Sequence, residues 1–275
     1  VDFTASKPGP PRRDQRTVRR DGSTPAGGVN GSVILTGSDL TFGSTLDATV
    51  DLTIVSTGTT RWNGAVGMAA GSTLRDITVN GGGTLEINGA QVKTTRDQTY
   101  TNAVQLISDT QLTSKNLTFG SITAAGNGVD LSLSNQGGLM LGDVHIAGDL
   151  TVSTGIGGVS GGVSQNPGKT LWVGGSSTFI ADTLTEQPAH LGNNNKLTGP
   201  LSFVTANSGS WQDVSVKAVE PVVLGQVATT RVFALQTNGD ISQAANTRLQ
   251  IGGELQVQAG TGDVSLNNAG NDFEI

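Results

Sequence analysis

From Val33 onward, apolar residues come in pairs two positions apart, separated by Gly, Asn, Asp or Ser. Leu131/Leu133, Leu139/Leu141, Val144/Ile146 and Leu150/Val152 place four such pairs within about 20 residues. Alternation with a period of two, bounded by turn formers, predicts short strands of roughly three to five residues with one buried face. No longer stretch carries a 3.6-residue apolar period with caps, so helices are expected to be nearly absent.

A longer period lies over the short one. Leu40-Thr41-Phe42-Gly43-Ser44 returns 77 residues later as Leu117-Thr118-Phe119-Gly120-Ser121, and Val50-Asp51-Leu52 returns after 79 as Val129-Asp130-Leu131. Leu141-Gly142-Asp143-Val144 returns after 83 as Leu224-Gly225-Gln226-Val227. Leu171-Trp172-Val173-Gly174-Gly175 returns after 78 as Leu249-Gln250-Ile251-Gly252-Gly253. A unit of ~80 residues built from short strands fits either a sandwich domain repeated three times or about four solenoid coils of ~20 residues each. Consecutive apolar pairs lie only about five to eight residues apart, which suits the short faces of a coil better than sandwich strands joined by hairpins. The expected fold is therefore an all-β solenoid, a parallel β-helix over residues 30–275, with about 11–12 coils in ~80-residue super-repeats. Inward Leu, Val, Ile and Phe would stack on the same positions of the coils above and below. A sandwich-repeat stalk is the competing fold.

Composition agrees with many tight turns. The chain holds 40 Gly, 14% charged and 4% aromatic residues, unlike an ordinary globular domain or a charge-rich disordered one. With no Cys, a disulfide framework and thiol chemistry are excluded and the compartment is left open. No run approaches the ~18 apolar residues that span a bilayer, and Val1 does not begin a signal peptide. Because the pattern breaks off in mid-repeat at Phe273-Glu274-Ile275, the chain is read as part of something longer, in contact with adjoining repeats of its parent protein. Residues 1–29 contain Pro8, Pro10, Pro11 and Pro25 and carry a charge of +3, which reads as a flexible Pro/Arg-rich leader or linker, with an arginine docking arm as the alternative. Since the whole chain carries −6, the remainder carries −9. An acidic body disfavours nucleic acid as a partner, because phosphate neutralisation needs a basic stripe.

Several strings resemble the repeat region of filamentous haemagglutinin-like exoproteins, large adhesins exported by two-partner secretion. They are Asp97-Gln98-Thr99-Tyr100-Thr101-Asn102-Ala103-Val104, Leu112-Thr113-Ser114, Leu117-Thr118-Phe119-Gly120-Ser121, Asn238-Gly239-Asp240-Ile241-Ser242-Gln243, and the run from Gly262 to Phe273. The resemblance implies a right-handed parallel β-helix on the surface of, or secreted from, a Gram-negative bacterium. It further implies attachment to host cells, to other cells or to biofilm polysaccharide, and a role in virulence. The family's Asn-Pro-Asn-Gly secretion signature is missing, so the segment is expected to be shaft.

Individual motifs offer little catalysis. Gly158-Val159-Ser160-Gly161-Gly162 has a G-x-S-x-G spacing, but a nucleophile elbow needs a following helix. Gly168-Lys169-Thr170 resembles the end of a P-loop, yet Val163 stands where its first glycine belongs. His145 and His190 are the two histidines, too few and too distant for a usual zinc or copper site, and Gly126-Asn127-Gly128-Val129-Asp130 is a single relative of calcium-binding repeats that need several coils. No metal and no cofactor is expected. Turn carboxylates at Asp143, Asp149, Asp182, Asp213, Asp240 and Asp263 could in principle pair as in a β-helical polysaccharide lyase or glycosidase, but Asp in turns ordinarily bonds its own backbone.

The aromatics carry the surface reading. Inward Leu171 and Val173 turn Trp172 outward, and inward Val214 and Val216 turn Trp211 outward, while Trp62 is assigned to the core. Exposed Trp stacks well on sugar faces. The expected protein is a structural and adhesive module without enzymatic activity. Trp172 and Trp211, together with loops at 155–168 and 189–197, would meet a glycan, a matrix polysaccharide or a cell-surface receptor. A polysaccharide lyase or glycosidase on the same scaffold is the alternative function.

Overall fold

Short alternating strands can bury their apolar faces only by stacking coil on coil, and this arrangement is found. The computed structural model describes residues 3–4, 17–21, 31–182 and 185–274. Among these there is no helix, and parallel strands form a β-solenoid of about 11 turns. No helix of the described residues is long and apolar enough to cross a membrane. The chain divides into two compact units, residues 1–129 and 130–275.

In the first unit the turns stack along three columns. One runs through Asp51–Ser56, Ile77–Asn80, Asp97–Tyr100 and Asn116–Phe119 and stacks Ile54, Val79, Tyr100 and Phe119 inward. A second runs through Leu40–Phe42, Thr59–Trp62, Thr84–Ile87 and Ala103–Leu106, stacking Phe42, Trp62, Ile87 and Leu106. The third begins as single bridges, Leu46 to Val66 to Val92, and widens into the pair Gln91–Lys93 and Thr110–Ser114. Trp62 lies fully in this core. Most of the Pro/Arg-rich leader lies outside the described residues. Its described parts are two strands, Phe3–Thr4 antiparallel to Leu40–Phe42 and Thr17–Asp21 antiparallel to Ser32–Gly37.

The second unit repeats the plan. Leu131–Asn135, Leu150–Thr154, Ser177–Ala181 and Leu201–Thr205 form one column. Leu139, Val163, Ala189, Val214, Phe233 and Leu255 follow one another down a second. The aromatic centre is a parallel stack of Phe179 on Phe203 at 5.0 Å, with Trp211 edge-on to Phe203 at 5.8 Å. Each fully buried side chain of this size contributes roughly 1.5–3 kcal/mol. These contacts, repeated at every turn, stand in for the single core of a globular domain.

Coil length varies, with stacked partners 19 residues apart at Asp130/Asp149 and 27 apart at Asp149/Ser176. The ~80-residue recurrence therefore does not correspond to four whole coils. Leu40 sits in the column of Thr60, Leu85, Val104 and Ile122, whereas Leu117, which ends its 77-residue echo, stacks on Gln98 in the neighbouring column. Similarly, Leu139 and its successors at 163, 189, 214 and 233 bracket Leu224, which belongs to the column of Leu201. A repeat ends after three full turns and before the fourth closes, so a recurring segment returns on a different face.

Two devices hold adjacent coils in register. Turn carboxylates accept an amide of the following coil: Asp39 from Thr59 N at 2.7 Å, Asp76 from Asp97 N at 2.9 Å, Asp149 from Ser176 N at 2.6 Å and Asp240 from Asp263 N at 2.9 Å. These bonds run between coils, whereas turn chemistry alone predicted bonds to the local backbone. Glycine permits the close approach where coils touch at a turn: a Cβ on Gly83 would collide with the backbone of Ser56, Thr57 and Gly58.

Candidate functional site

The strand Leu171–Val173 is three residues long and carries no bulge, so strict alternation holds: Leu171 and Val173 are buried and Trp172 is turned outward. Trp172 is 46% exposed, among the largest apolar exposures in the described residues. Stacking places His145 against it from the preceding coil and Lys196 from the following one. The His145 ring meets the indole edge-on at 4.3 Å between centroids, and Lys196 Nζ lies 5.3 Å from the indole centre, within cation–π range. Lys196 is held there by an ion pair with Glu220 at 2.6 Å. Beside this ladder runs a shallow groove of about 250 Å³, with Ala147, Gly174 and Thr198 among its small lining residues.

The other expected contact residue, Trp211, is not on the surface. It is fully buried, packs on Phe203 and donates from Nε1 to Val204 O at 2.9 Å. The error has a definite cause. Counting back from Val214 assumes an unbroken strand, but the register slips between Trp211 and Asp213, and again in the coil below between Gln187 and Ala189. Two consecutive residues, Gln212 and Asp213, then face outward, which inverts the parity for everything before them.

The expected loop at 189–197 is also corrected. It belongs to the strand Glu186–Leu197, in which Ala189, Leu191, Asn195 and Leu197 are buried. Its run of asparagines reads as loop but serves as a clip. Asn195 and Gln165 exchange amide hydrogen bonds at 2.7 and 3.1 Å, Asn195 Oδ1 accepts Leu171 N at 2.9 Å, and Asn195 Nδ2 also donates to Leu191 O and Lys217 O. Asn193 Nδ2 donates to Asn166 O and Lys169 O. The segment at 155–168 is irregular up to residue 162 and then forms the strand Val163–Gln165.

The same clip is built a second time. Gln243 and Asn271 exchange amide bonds at 2.8 Å each, Asn271 Oδ1 accepts Leu249 N at 3.0 Å, and Asn268 Nδ2 donates to Ala244 O and Thr247 O. The echo Leu171 to Gly175 and Leu249 to Gly253 is thus one local structure made twice. On the second copy, the three outward positions matching His145, Trp172 and Lys196 are Ala228, Gln250 and Asp272, in the same stacked register. The frame recurs without its aromatic and with its charge reversed.

Several polar residues of the other motifs pair with neighbours in the fold. Thr170 N and Lys169 Nζ both bind Asp143, at 2.8 and 2.9 Å. Partial burial raises the Asp143 carboxyl pKa, but the bonds from Lys169 and Thr170 outweigh it and hold the group below its ordinary range. Asp182 pairs with Asn207, Asp213 with Arg231, and His190 Nδ1 lies 2.9 Å from Ser215 Oγ. Among the described residues no group of three or more His, Cys, Asp or Glu could hold a metal ion.

A family model described as repeats of unknown function (DUF5649) matches residues 128–204 and 212–274. The first stretch contains the Gln165/Asn195 clip and the second the Gln243/Asn271 clip. No curated protein matches the chain, and no solved structure does.

Proposed function

The chain belongs to the DUF5649 family of repeats, and from that premise we propose that it is a structural and adhesive segment of a large secreted or surface protein of a Gram-negative bacterium. The solenoid supplies a rigid, repetitive support, and the ladder around Trp172 supplies contact with a glycan, a matrix polysaccharide or a cell-surface receptor. The observation that carries this reading is the outward Trp172, flanked by His145 and Lys196, on a frame whose second copy carries Ala228, Gln250 and Asp272 instead. Because the fold is built equally well without the indole, packing does not require it, and exposed aromatics of this kind are favoured binding anchors. The resemblance to filamentous haemagglutinin-like repeats supports the export and attachment part of the reading. Binding would be weak at this single ladder and would gain strength where many such chains present it side by side.

A glycan array probed with the intact chain and with Trp172→Ala tests the proposal. Retention on specific glycans or on whole bacterial cells, lost in the variant, is the expected result. A folded variant that is retained as well as the parent would remove it.

A further inference from the structure

We propose that the ladder of His145, Trp172 and Lys196 is a binding site for a carboxylate-bearing sugar ring, as in a linear polyuronate; this rests on the adhesive reading above and names its ligand class. The part of the Trp172 indole left exposed between His145 and Lys196 offers apolar surface to the C–H groups of a pyranose. Lys196 Nζ, over the same indole at 5.3 Å from its centre, is placed to bond a carboxylate of a sugar set against that exposed surface. The titratable groups lining the groove are His145 and Lys196, and Glu220, which fixes Lys196 at 2.6 Å, is not part of the lining. The groove therefore presents the ion-paired Lys196 ammonium beside an aromatic side chain. Its small residues Ala147, Gly174 and Thr198 leave a shallow trough, and three stacked rungs extend it about 10 Å along the solenoid, room for a short run of linked rings. The trough has no deep apolar pocket for a peptide side chain, so an acidic peptide fits it less well.

The local charge at 196 points the same way. The molecule carries −6, and the matched position on the second clip carries Asp272, paired with Arg248 at 3.2 Å. A cation at 196 on an otherwise equivalent frame is a local departure, and charge of either sign acts over only about 8–10 Å at physiological salt.

The test is a fluorescence titration of the intact chain with trigalacturonate, its uncharged methyl ester and triglutamate. Trp62 and Trp211 are buried, so quenching of Trp172 reports the site. Trigalacturonate is expected to bind more tightly than its ester, by roughly tenfold, the equivalent of about 1.4 kcal/mol. Lys196→Gln should abolish that difference and Lys196→Arg should keep it, while Trp172→Ala should lose both sugars on the glycan array. The triple variant His145→Ala, Trp172→Gln, Lys196→Asp gives the first frame the residues that the second already carries, so it should fold and bind neither. Equal binding of acid and ester, with Lys196→Gln silent, overturns the ligand class and leaves adhesion standing. Triglutamate competing as well as trigalacturonate overturns it in favour of an acidic peptide. If Trp172→Ala has no effect on any retained glycan or cell, both readings fail.

Discussion

Three residues show how position in the pleat decides what a side chain does. Trp172 and Trp211 are chemically identical, yet one is 46% exposed and the other fully enclosed between Phe203 and the backbone of Val204. Trp211→Ala should cost about 3–5 kcal/mol, the usual range for emptying an aromatic site in a core, and Trp172→Ala less than about 1 kcal/mol. Urea unfolding of the two variants side by side checks this. Asn195 is the third. Its buried amide serves Gln165, Leu171, Leu191 and Lys217 together, so Asn195→Leu strands several buried partners and should cost about 2–4 kcal/mol. If Asn195→Leu unfolds at the parent urea concentration, the clip contributes no stability.

At the scale of the strand, alternation is a reliable guide as long as the strand is unbroken. Leu171–Val173 was legible for that reason, as were Leu139–Leu141 and Leu150–Thr154. A bulge defeats the same reasoning, since one extra residue flips every side chain beyond it. The spacing of three between Trp211 and Val214 was the available signal, and it becomes readable only when the matching slip at Gln187 and Ala189 is known. The strand Glu186–Leu197 was hidden differently: its Gly-Asn-Asn-Asn tract has loop composition, and only partners from coils before and after explain why it is extended. The clip residues were missed because their partners lie 28 to 30 residues away, beyond any local pattern. Turn carboxylates work at this scale too. Asp143 has its folded pKa lowered by Lys169 and Thr170 against the opposing effect of burial, so it stabilises the fold in full above the ordinary carboxylate range near 4, and the contribution fades as pH falls through the lower folded value. The gap in unfolding midpoint between the parent and Asp143→Asn should therefore be constant from neutral pH to about 5 and close below 4. A gap that widens on acidification would contradict the assignment.

At the scale of the molecule, two periods run through one chain and do not divide evenly. Coils stack at intervals of about 18 to 27 residues, while the family repeat recurs at ~80 and stops short of a fourth full turn. A coil needs mostly apolar residues facing inward, and columns accept Leu, Val or Thr in turn, as in Leu40, Thr60, Leu85, Val104. The core therefore does not force equivalent residues onto one face, and outward features such as the Trp172 ladder and its Ala228 counterpart come to point in different directions. The same independence governs stability. Each coil packs chiefly on the coils above and below, with a few bonds reaching two coils away, as from Asn102 to Ser56, so perturbations should decay along the stack as in other repeat proteins. Phe233 is buried between Val214 and Leu255 and within reach of Phe203. In Phe233→Ala, hydrogen exchange should accelerate at Val214–Val216 and Leu255–Val257, while Leu131–Leu133 and Leu150–Val152, at the other end of the same unit, keep their protection. Uniform loss of protection across the unit would mean that it unfolds as a single cooperative block, and the nearest-neighbour account of this solenoid would fall.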